Sequence, residues 1–344
     1  MLHKFKEGKA AFFASKGKIT AGMQAFYNPV MRLNRDFSVM AVRAYGKVHF
    51  ADILAGTGVR GIRLLKETDN ILSLSMNDSN PGFKQLAKRN FKLNRLGGEA
   101  ELHDEDANIF LLKSKGFSAI DIDPFGSPNP FLDAAISRMA RKGLLFLTST
   151  DTASLSGTYP KTCQRKYWAQ PLRNHLMHEV GLRILIRRVQ LVGADKERSM
   201  RPLFSYFRDH YFRICFLCEK GRQKADSMIR QHSSLSYNDH ELTAKENGSV
   251  GPAWTGQLHD NQFLSLMIKQ SEDMPADTQE FLRLLEHESR IDSIGFYDMH
   301  AMAKGKRGKV LKVDDVLGKL KKKKISASRS QFCPWGIKST RWPF

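Results

Sequence analysis

Between Val48 and Asp151, short apolar runs alternate with amphipathic stretches along the chain. The apolar runs predict five strands, with the sequences VHFADILAG, ILSLSMND, AELHDEDA, AIDID and GLLFLTSTD. Helical spacing separates them, in GVRGIRLLKE, PGFKQLAKRNFKLNRL and NIFLLKSKG, and resumes after Pro130. Apolar strands alternating with helices are typical of a parallel sheet that is covered on both faces. The pattern therefore predicts an α/β fold of the Rossmann-like type.

The pattern changes after Asp151. A long helical stretch, HLMHEVGLRILIRRVQLVGA, precedes PLFSYFRDHYFRICFLCEKG, which predicts two strands joined by a tight turn at an antiparallel edge of the sheet. The polar, turn-rich segment from 221 to 252 is interpreted as a linker or surface excursion. Helical periodicity returns in NQFLSLMIKQ and TQEFLRLLEHES. We expect two domains, residues 1–250 and a smaller α+β domain of residues 251–344.

The charge of the chain indicates its partner. The 344 residues carry a formal net charge of +20, and residues 301–344 contribute 13 Lys and Arg against two acids. Such a surplus is typical of proteins that bind nucleic acid, although a solvated basic tail is the alternative. No apolar run approaches the roughly 18 residues that span a bilayer, and the first residues lack a secretory signal. Four cysteines without framework spacing suit a reducing interior. Together these features predict a cytoplasmic protein with no membrane association.

The first two predicted strands end in residues suited to a nucleotide. Gly56, Gly58 and Gly61 satisfy the G-x-G-x-x-G pattern, in which the backbone turns tightly before a helix N-terminus. Alone, this pattern also describes an ordinary strand-to-helix turn. Asp78, at the end of the second strand, lies twenty positions beyond Gly58, where an acid can accept hydrogen bonds from ribose hydroxyls.

The third strand end adds Asp106, whose carboxylate could meet an adenine amino group, and the backbone N–H of Ala107. Taken singly, each acid at these junctions is more simply a helix cap. Three successive strand ends that carry such residues predict a cofactor containing a nucleoside.

The fourth strand runs into AIDIDPFGSPNPFLDAA, which sets Asp123, Pro124 and Phe125 in one rigid turn. A carboxylate and a backbone carbonyl that accept the N–H groups of an exocyclic base amine favour a pyramidal nitrogen with an available lone pair. The carboxylate can then take the released proton, and the adjacent aromatic ring can stack on the base. This chemistry suits S-adenosyl-L-methionine, whereas a nicotinamide cofactor has no use for the turn.

The chain resembles the tRNA (guanine-26-N2)-dimethyltransferase family over most of its length. The motifs occur in the family's order, as FYNPVMRLNRD, DILAGTGVRGIR, NDSNPGF, DANIF, DIDPFGSPNPFLDAA, TSTDTASLSG, KYWAQPLRNHLMHEVGLRIL, FRDHYFR, GPAWTGQL and PWGIKST. The resemblance implies a class I methyltransferase domain, S-adenosyl-L-methionine as the cofactor and a C-terminal domain that helps to hold tRNA. One or two methyl groups would be transferred to the N2 atom of guanosine 26.

The resemblance also assigns roles to residues. It places Arg35 and Arg60 at the methionine part of the cofactor, where a guanidinium can pair with a carboxylate in two places. The remaining roles are ribose binding for Asp78, adenine binding for Asp106 and Ala107, catalysis for Asp123 with the Pro124 carbonyl, and the walls of the base pocket for Phe26 and Phe125. We expect RNA to contact the basic C-terminal segment and CQRKYWAQPLRNH.

No metal site is predicted. Cys215 and Cys218 form C-x-x-C without a second pair, whereas a structural zinc site needs four ligands. No obligatory protein partner is evident. Two other functions stay open from the residues: methylation of another exocyclic amine in RNA or DNA, and nicotinamide-dependent oxidoreduction through the glycine pattern.

Overall fold

The structure is a computed structural model, and it describes residues 2–17, 25–238, 240–306 and 310–341. Its strands, in chain order, are β1 (Leu2–Glu7), β2 (Ala10–Ser15), β3 (Val48–Asp52), β4 (Ile71–Asn77), β5 (Ala100–His103), β6 (Phe117–Ile122), β7 (Met139–Ser149), β8 (Arg198–Arg208), β9 (Tyr211–Lys220), β10 (His232–Asn238), β11 (Glu241–Ala244), β12 (Val250–Trp254), β13 (Tyr297–Asp298), β14 (Ala327–Arg329) and β15 (Gly336–Ser339).

The helices are α1 (Arg32–Tyr45), α2 (Val59–Glu67), α3 (Phe83–Leu93), α4 (Ala107–Lys113), α5 (Asn129–Arg138), α6 (Thr152–Leu155), α7 (Pro160–Tyr167), α8 (Met177–Asp195), α9 (Arg222–Ile229), α10 (Asn261–Lys269), α11 (Ala276–Ser289), α12 (Met299–Lys306) and α13 (Val313–Lys322). Over the ranges that the structure describes, none of them is long and apolar enough to cross a membrane.

A seven-stranded sheet with the order β5-β4-β3-β6-β7-β9-β8 forms the centre of the molecule. The strands from β5 to β7 run parallel, and β9 and β8 are antiparallel to their neighbours. The predicted α/β fold and the antiparallel edge are therefore confirmed. In such a sheet the strand order reverses beside β3, and ligands bind outside the carboxyl ends of the strands at this point.

Both faces of the sheet are buried, which explains the continuous apolar runs. In β7, Leu145 and Leu147 belong to one hydrophobic cluster, whereas Leu144 and Phe146 belong to the cluster on the opposite face. Successive side chains of a strand point to opposite faces, so a strand between two layers of helices is buried on both sides and is largely apolar.

A β-hairpin of β1 and β2 precedes the sheet, and sequence analysis does not predict it. Its Ala10, Phe12 and Ala14 are buried in the hydrophobic cluster on one face of the sheet. The outer edge of β2 is covered by α3, because Asn90 Oδ1 accepts from Phe13 N at 2.7 Å and Asn94 Oδ1 accepts from Ala11 N at 2.9 Å. The hairpin brings Glu7, the last residue of β1, under the cavity described below.

The interpretation of residues 221–252 as a linker is wrong. The segment forms α9, β10 and β11, and β10 lies between β11 and β12 in a three-stranded sheet. Leu235, Leu242 and Val250 are buried, and all three join the main hydrophobic core. A short strand on the surface needs only one apolar side chain to be anchored, so the remaining polar residues hide its presence.

The boundary predicted between residues 250 and 251 falls inside β12, whose Trp254 pairs with His232 of β10. Helices α10 and α11 pack on α1, where Phe281 lies 6.0 Å from Phe37 between ring centroids. A separate small core begins at Met299 and includes residues of α12, α13 and β15. The division into two domains stays a prediction, and the packing favours a boundary near residue 297.

Candidate active site

A cavity of about 640 Å³ opens at the carboxyl ends of β3, β4 and β6. Its walls come from the loops after these strands and from the segment before α1. They contain Phe26, Tyr27, Asn28, Met31, Arg35, Leu54, Ala55, Gly56, Thr57, Val59, Arg60, Asp78, Ser79, Asn80, Pro81, Phe83, Asp123, Pro124, Phe125, Ser127, Pro130, Phe131 and Thr150. Seven of the nine residues that sequence analysis assigns to the site line this cavity.

The glycine loop and Asp78 form one wall. Gly56 and Gly58 have φ values of +57° and +77°, which favour glycine. A Cβ atom on Gly56 would also lie 3.3 Å from the carbonyl oxygen of Phe26. The carboxylate of Asp78 accepts hydrogen bonds from Gly56 N at 2.7 Å and from Asn80 N at 2.9 Å. Its position is therefore fixed by the loop that it faces.

Asp106 and Ala107 are the two predicted residues that do not line the cavity. Asp106 is the N-cap of α4, and its Oδ1 accepts from Asn108 N at 2.9 Å and Ile109 N at 3.1 Å. The loop before it is held beside the end of β4, because Asn77 Nδ2 donates to the carbonyl oxygen of Glu105 at 3.0 Å. The structure thus shows Asp106 in the capping role that its sequence context also allows.

The turn after β6 lies across the cavity from Asp78. Pro124 is buried and Phe125 is 52% exposed, with its ring centroid 4.6 Å from that of Phe26 in an edge-to-face arrangement. Thr150, the residue after β7, holds this turn in place, since its Oγ1 accepts from Gly126 N at 2.6 Å and its N donates to Gly126 O at 3.0 Å. The carboxylate of Asp123 and two aromatic rings are thereby brought to one rim.

Arg60 links this turn to the floor of the cavity. Its Nη2 donates to Oδ2 of Asp123, and its Nη1 donates to Asn34 Oδ1 at 2.8 Å and Ser38 Oγ at 2.8 Å. Nη1 also lies 3.2 Å from Oδ2 of Asp121. Arg60 therefore holds the carboxylate of Asp123, an interaction that sequence analysis does not predict.

A buried network of charges lies beneath Arg60. Arg213 of β9 forms a two-point ion pair with Asp121, at 2.9 Å and 2.6 Å. Asp52 of β3 lies opposite Asp121 in the register of β3 and β6. Burial raises the pKa of Asp52 to about 7. The positive charge of Arg60 lowers this pKa, and the negative charges of Asp121, Asp123 and Asp78 raise it further. The sequence contains one indication of this network: charged residues stand inside strands that are otherwise apolar, and buried charges need partners.

Arg35 reaches the cavity from α1 and is held by the N-terminal hairpin. Its Nε and Nη2 donate to the carboxylate of Glu7 at 2.7 Å and 2.5 Å. Burial opposes ionisation of Glu7, but Arg35 and Arg63 outweigh it and lower the pKa of this carboxyl to about 2. Glu7 therefore holds Arg35 in position at the cavity, although Glu7 lies outside the motifs that predict this site.

The cysteines of β9 belong to different layers. Cys215 is buried in the cluster on one face of the sheet, and Cys218 is buried in the cluster on the other. Residues three apart in a strand point in opposite directions, so these thiols cannot share a metal ion. No group of three or more His, Cys, Asp or Glu that could hold a metal occurs in the part of the chain that the structure describes.

Comparison with known proteins gives one consistent result. The model of the N2,N2-dimethylguanosine tRNA methyltransferase family matches residues 7–342. The tRNA (guanine(26)-N(2)/guanine(27)-N(2))-dimethyltransferase of Aquifex aeolicus is 39% identical over 313 residues, which cover 83% of this chain and 80% of the relative. The tRNA (guanine(26)-N(2))-dimethyltransferase of Pyrobaculum aerophilum is 36% identical, over 97% of this chain and 92% of its own length.

Among solved structures, Trm1 from Pyrococcus horikoshii in complex with S-adenosyl-L-methionine superimposes with a TM-score of 0.91. It is 33% identical and covers 99% of this chain and 98% of its own. The resemblance seen in the sequence motifs is therefore confirmed. This chain belongs to the N2,N2-dimethylguanosine tRNA methyltransferase family.

Proposed function

We propose that this protein transfers one or two methyl groups from S-adenosyl-L-methionine to the exocyclic N2 atom of guanosine 26 in tRNA. The observation that carries the proposal is the position of Asp123, Pro124 and Phe125 on the rim of the cavity that also contains Asp78 and the glycine loop. A cofactor-sized space and an amine-binding turn thus share one cavity. The family membership of the chain and the names of its relatives support this reading.

The residues present fit the cofactor. The cavity volume of about 640 Å³ lies within the range of about 300–1,000 Å³ that is usual for small-molecule sites, and Gly56, whose missing side chain leaves its backbone uncovered, lies in the wall. Asp78 would accept bonds from the ribose hydroxyls, and Arg35 and Arg60 would face the methionine part. Asp106 and Ala107 do not line the cavity, so the adenine contact that the resemblance assigns to them stays a prediction. When bound, S-adenosyl-L-methionine supplies an electrophilic methyl group on a sulfonium.

The turn after β6 would hold and activate the base. Oδ1 of Asp123 and the carbonyl oxygen of Pro124 accept the two N–H groups of the guanine amine, and Asp123 takes the proton released on methylation. Arg60, bonded to Oδ2, fixes the direction of the carboxylate. Phe26 and Phe125 contact the faces and edges of the base. After one methyl transfer a single N–H remains, and the pocket must admit the methyl group for a second transfer.

The target base must leave its stack to reach Asp123, which costs a few kcal/mol. The basic residues of α13, with Lys319, Lys321 and Lys322 in its last turn, would position tRNA phosphates without reading sequence. The four free cysteines agree with the reducing conditions of the cytoplasm, where we place the activity.

Nucleoside mass spectrometry of an unmodified tRNA transcript, treated with the purified protein and S-adenosyl-L-methionine, tests the proposal. We expect N2-methylated guanosine that maps to position 26 and is absent from a transcript with adenosine at that position. Position 27 is mapped in the same experiment, because the relative from Aquifex aeolicus is named as a dimethyltransferase of both guanine 26 and guanine 27. Methylation confined to any other nucleoside would refute the assignment.

A further inference from the structure

Helix α7 is fixed to the rim of the cavity by its last residue. The hydroxyl of Tyr167 lies 2.9 Å from Ser127 Oγ and 2.9 Å from Asp151 Oδ2, and Ser127 lines the cavity. Asn129 Nδ2 also donates to the carbonyl oxygen of Lys166 at 2.8 Å. Groups exposed at the end of α7 are therefore held in a constant position relative to the base pocket.

The residue after α7 is Trp168, and two of its properties are unusual. Its backbone is left-handed, with φ of 53° and ψ of 43°, in a position where glycine is the common residue. Its side chain is 57% exposed, although indole gains more from burial than other side chains. The left-handed backbone does not require tryptophan, most of the indole faces solvent, and strained backbone positions are concentrated at functional sites.

Two arginines of α8 lie beside Trp168 without an acidic partner. The guanidinium of Arg188 stacks on the indole, with Cζ 4.2 Å from the ring centroid, and Arg187 Nη1 donates to the Trp168 carbonyl oxygen at 3.5 Å. The Nε atoms of both arginines are buried and form no hydrogen bond. Among the described residues no carboxylate lies within 4.0 Å of either guanidinium, whereas many other arginines of the chain are paired.

The protonated forms of both arginines are consequently destabilised by their surroundings. Burial lowers the pKa of Arg187, and the neighbouring Arg188 lowers it further. Burial also lowers the pKa of Arg188, which Tyr167 only partly opposes. The Nε atoms are closed off from solvent, so an anion would bind at the Nη atoms, where it would offset the unfavourable burial of both charges.

We propose that Trp168, Arg187 and Arg188 form a binding site for one nucleotide of the tRNA strand that approaches the cavity. The indole stacks on the base, and the two guanidiniums bind the adjoining phosphate. This site rests on the proposed function, and it is separate from the basic residues of α13. Stacking on an aromatic ring tolerates every base, so the site contributes affinity and position and does not select a sequence.

An RNA strand is favoured over an acidic protein by the combination of groups. A planar exposed ring beside two fork-shaped cations matches a base with its phosphate, and guanidiniums pair with phosphate at two points. The surface next to Trp168 is also positively charged, because Lys161, Arg165 and Lys166 are exposed on α7. Of these three, Lys166 has an acidic partner, Asp151, at 2.9 Å.

The test compares Trp168→Gly, Trp168→Phe and the double variant Arg187→Ala/Arg188→Ala with wild type, using unmodified tRNA transcript. Trp168→Gly should weaken tRNA binding about tenfold, while its melting temperature stays at or above that of wild type because glycine suits the left-handed backbone. Trp168→Phe should retain most of the affinity. The double variant should reduce the slope of log K against log salt by about one to two.

Arg222→Ala is the matched control, since it removes an exposed arginine of α9 that is already paired with Glu197. In steady-state assays the Trp168 variants should raise KM for tRNA and leave KM for S-adenosyl-L-methionine unchanged. A folded Trp168→Gly protein with wild-type tRNA affinity would overturn the inference, as would a salt slope unaffected by the double variant. If the wild-type enzyme leaves guanosine 26 unmodified, the proposed function itself fails, which is a different result.

Discussion

Arg60 donates a hydrogen bond to Asp123, so a residue expected at the cofactor is joined to the residue expected at the base. The same guanidinium lies 3.2 Å from Asp121, which in turn pairs with Arg213. The carboxylate on the rim is thus the outermost member of a buried chain of charges. Arg60 thus gives the carboxylate of Asp123 a fixed direction from the interior of the protein.

Substitution of Arg60 tests this connection. Arg60→Ala leaves Asp121 and Asp123 with one cation fewer in a buried setting, and we expect a loss of about 3–5 kcal/mol in the free energy of unfolding. Arg60→Lys keeps the charge but not the geometry of the fork, so it should fold more stably than Arg60→Ala and still lose methyl transfer. Urea unfolding and initial rates measure the two effects. A fully active Arg60→Lys enzyme would contradict the positioning role.

The ion pairs of Glu7 should make the N-terminal hairpin sensitive to acid. The pKa of Glu7 is about 2 in the folded protein, against an ordinary value of 4.5. Its contribution, about 3 kcal/mol, is therefore complete above pH 4.5 and is lost as the pH falls toward 2. Glu7→Gln should destabilise the protein by about this amount at pH 7, and the difference from wild type should shrink below pH 4.5.

Chemical denaturation of Glu7→Gln at pH 7, 4 and 3 measures this dependence, with the exposed Glu99→Gln as the control. An equal difference from wild type at all three pH values would show that Glu7 acts through packing and not through its charge. Release of Arg35 in the same variant should also raise KM for S-adenosyl-L-methionine, because the guanidinium at the cavity loses its anchor.

Asp52 predicts a pH dependence of the opposite sign. Its pKa is raised from 3.8 to about 7 in the folded protein, so the folded state binds one more proton than the unfolded state between these values. The free energy of unfolding should fall by up to about 4 kcal/mol as the pH rises from 4 to 7. Asp52→Asn removes this term, and its stability relative to wild type should increase between pH 5 and pH 8. A constant difference would mean that Asp52 is already ionised at pH 5.

Ligand-dependent melting separates the cofactor classes. S-adenosylhomocysteine should stabilise the protein by about 2.7 kcal/mol at a concentration one hundred times its Kd, whereas NAD should have no effect. Asp78→Ala should reduce this stabilisation, since the ribose loses its carboxylate and the glycine loop loses the acceptor of Gly56 N. Asp133→Ala, an exposed acid of α5, is the control. Stabilisation by NAD alone would support the oxidoreductase alternative.

The fold was predictable where its determinants are local. Strands between two helical layers are largely apolar, as Leu144 to Leu147 illustrate. The segments that follow the strands carry glycine, aspartate and proline, which are common in turns. Of the residues gathered around the cavity, Asp78 and Asp123 are predicted from their positions at strand ends, whereas Phe26 is predicted only from the family resemblance. Their roles remain predictions, since the structure fixes positions and not functions.

The features that sequence analysis missed depend on distant partners. Glu7 meets Arg35 and Arg63 only when the hairpin docks, and Asp52 lies beside Asp121 only in the register of β3 and β6. The surface strands β10 and β11 were hidden because each buries a single leucine, Leu235 or Leu242, among polar residues. A pattern along the chain carries no information on which strand becomes a neighbour.

The most direct test of the central claim is single-turnover methylation of guanosine 26 by Asp123→Ala, with S-adenosylhomocysteine binding measured by calorimetry on the same preparation. We predict a rate lower by about 10²- to 10⁴-fold with cofactor affinity close to that of wild type, because the carboxylate acts on the base. A folded Asp123→Ala enzyme that methylates at the wild-type rate would contradict the account, and so would one that no longer binds the cofactor.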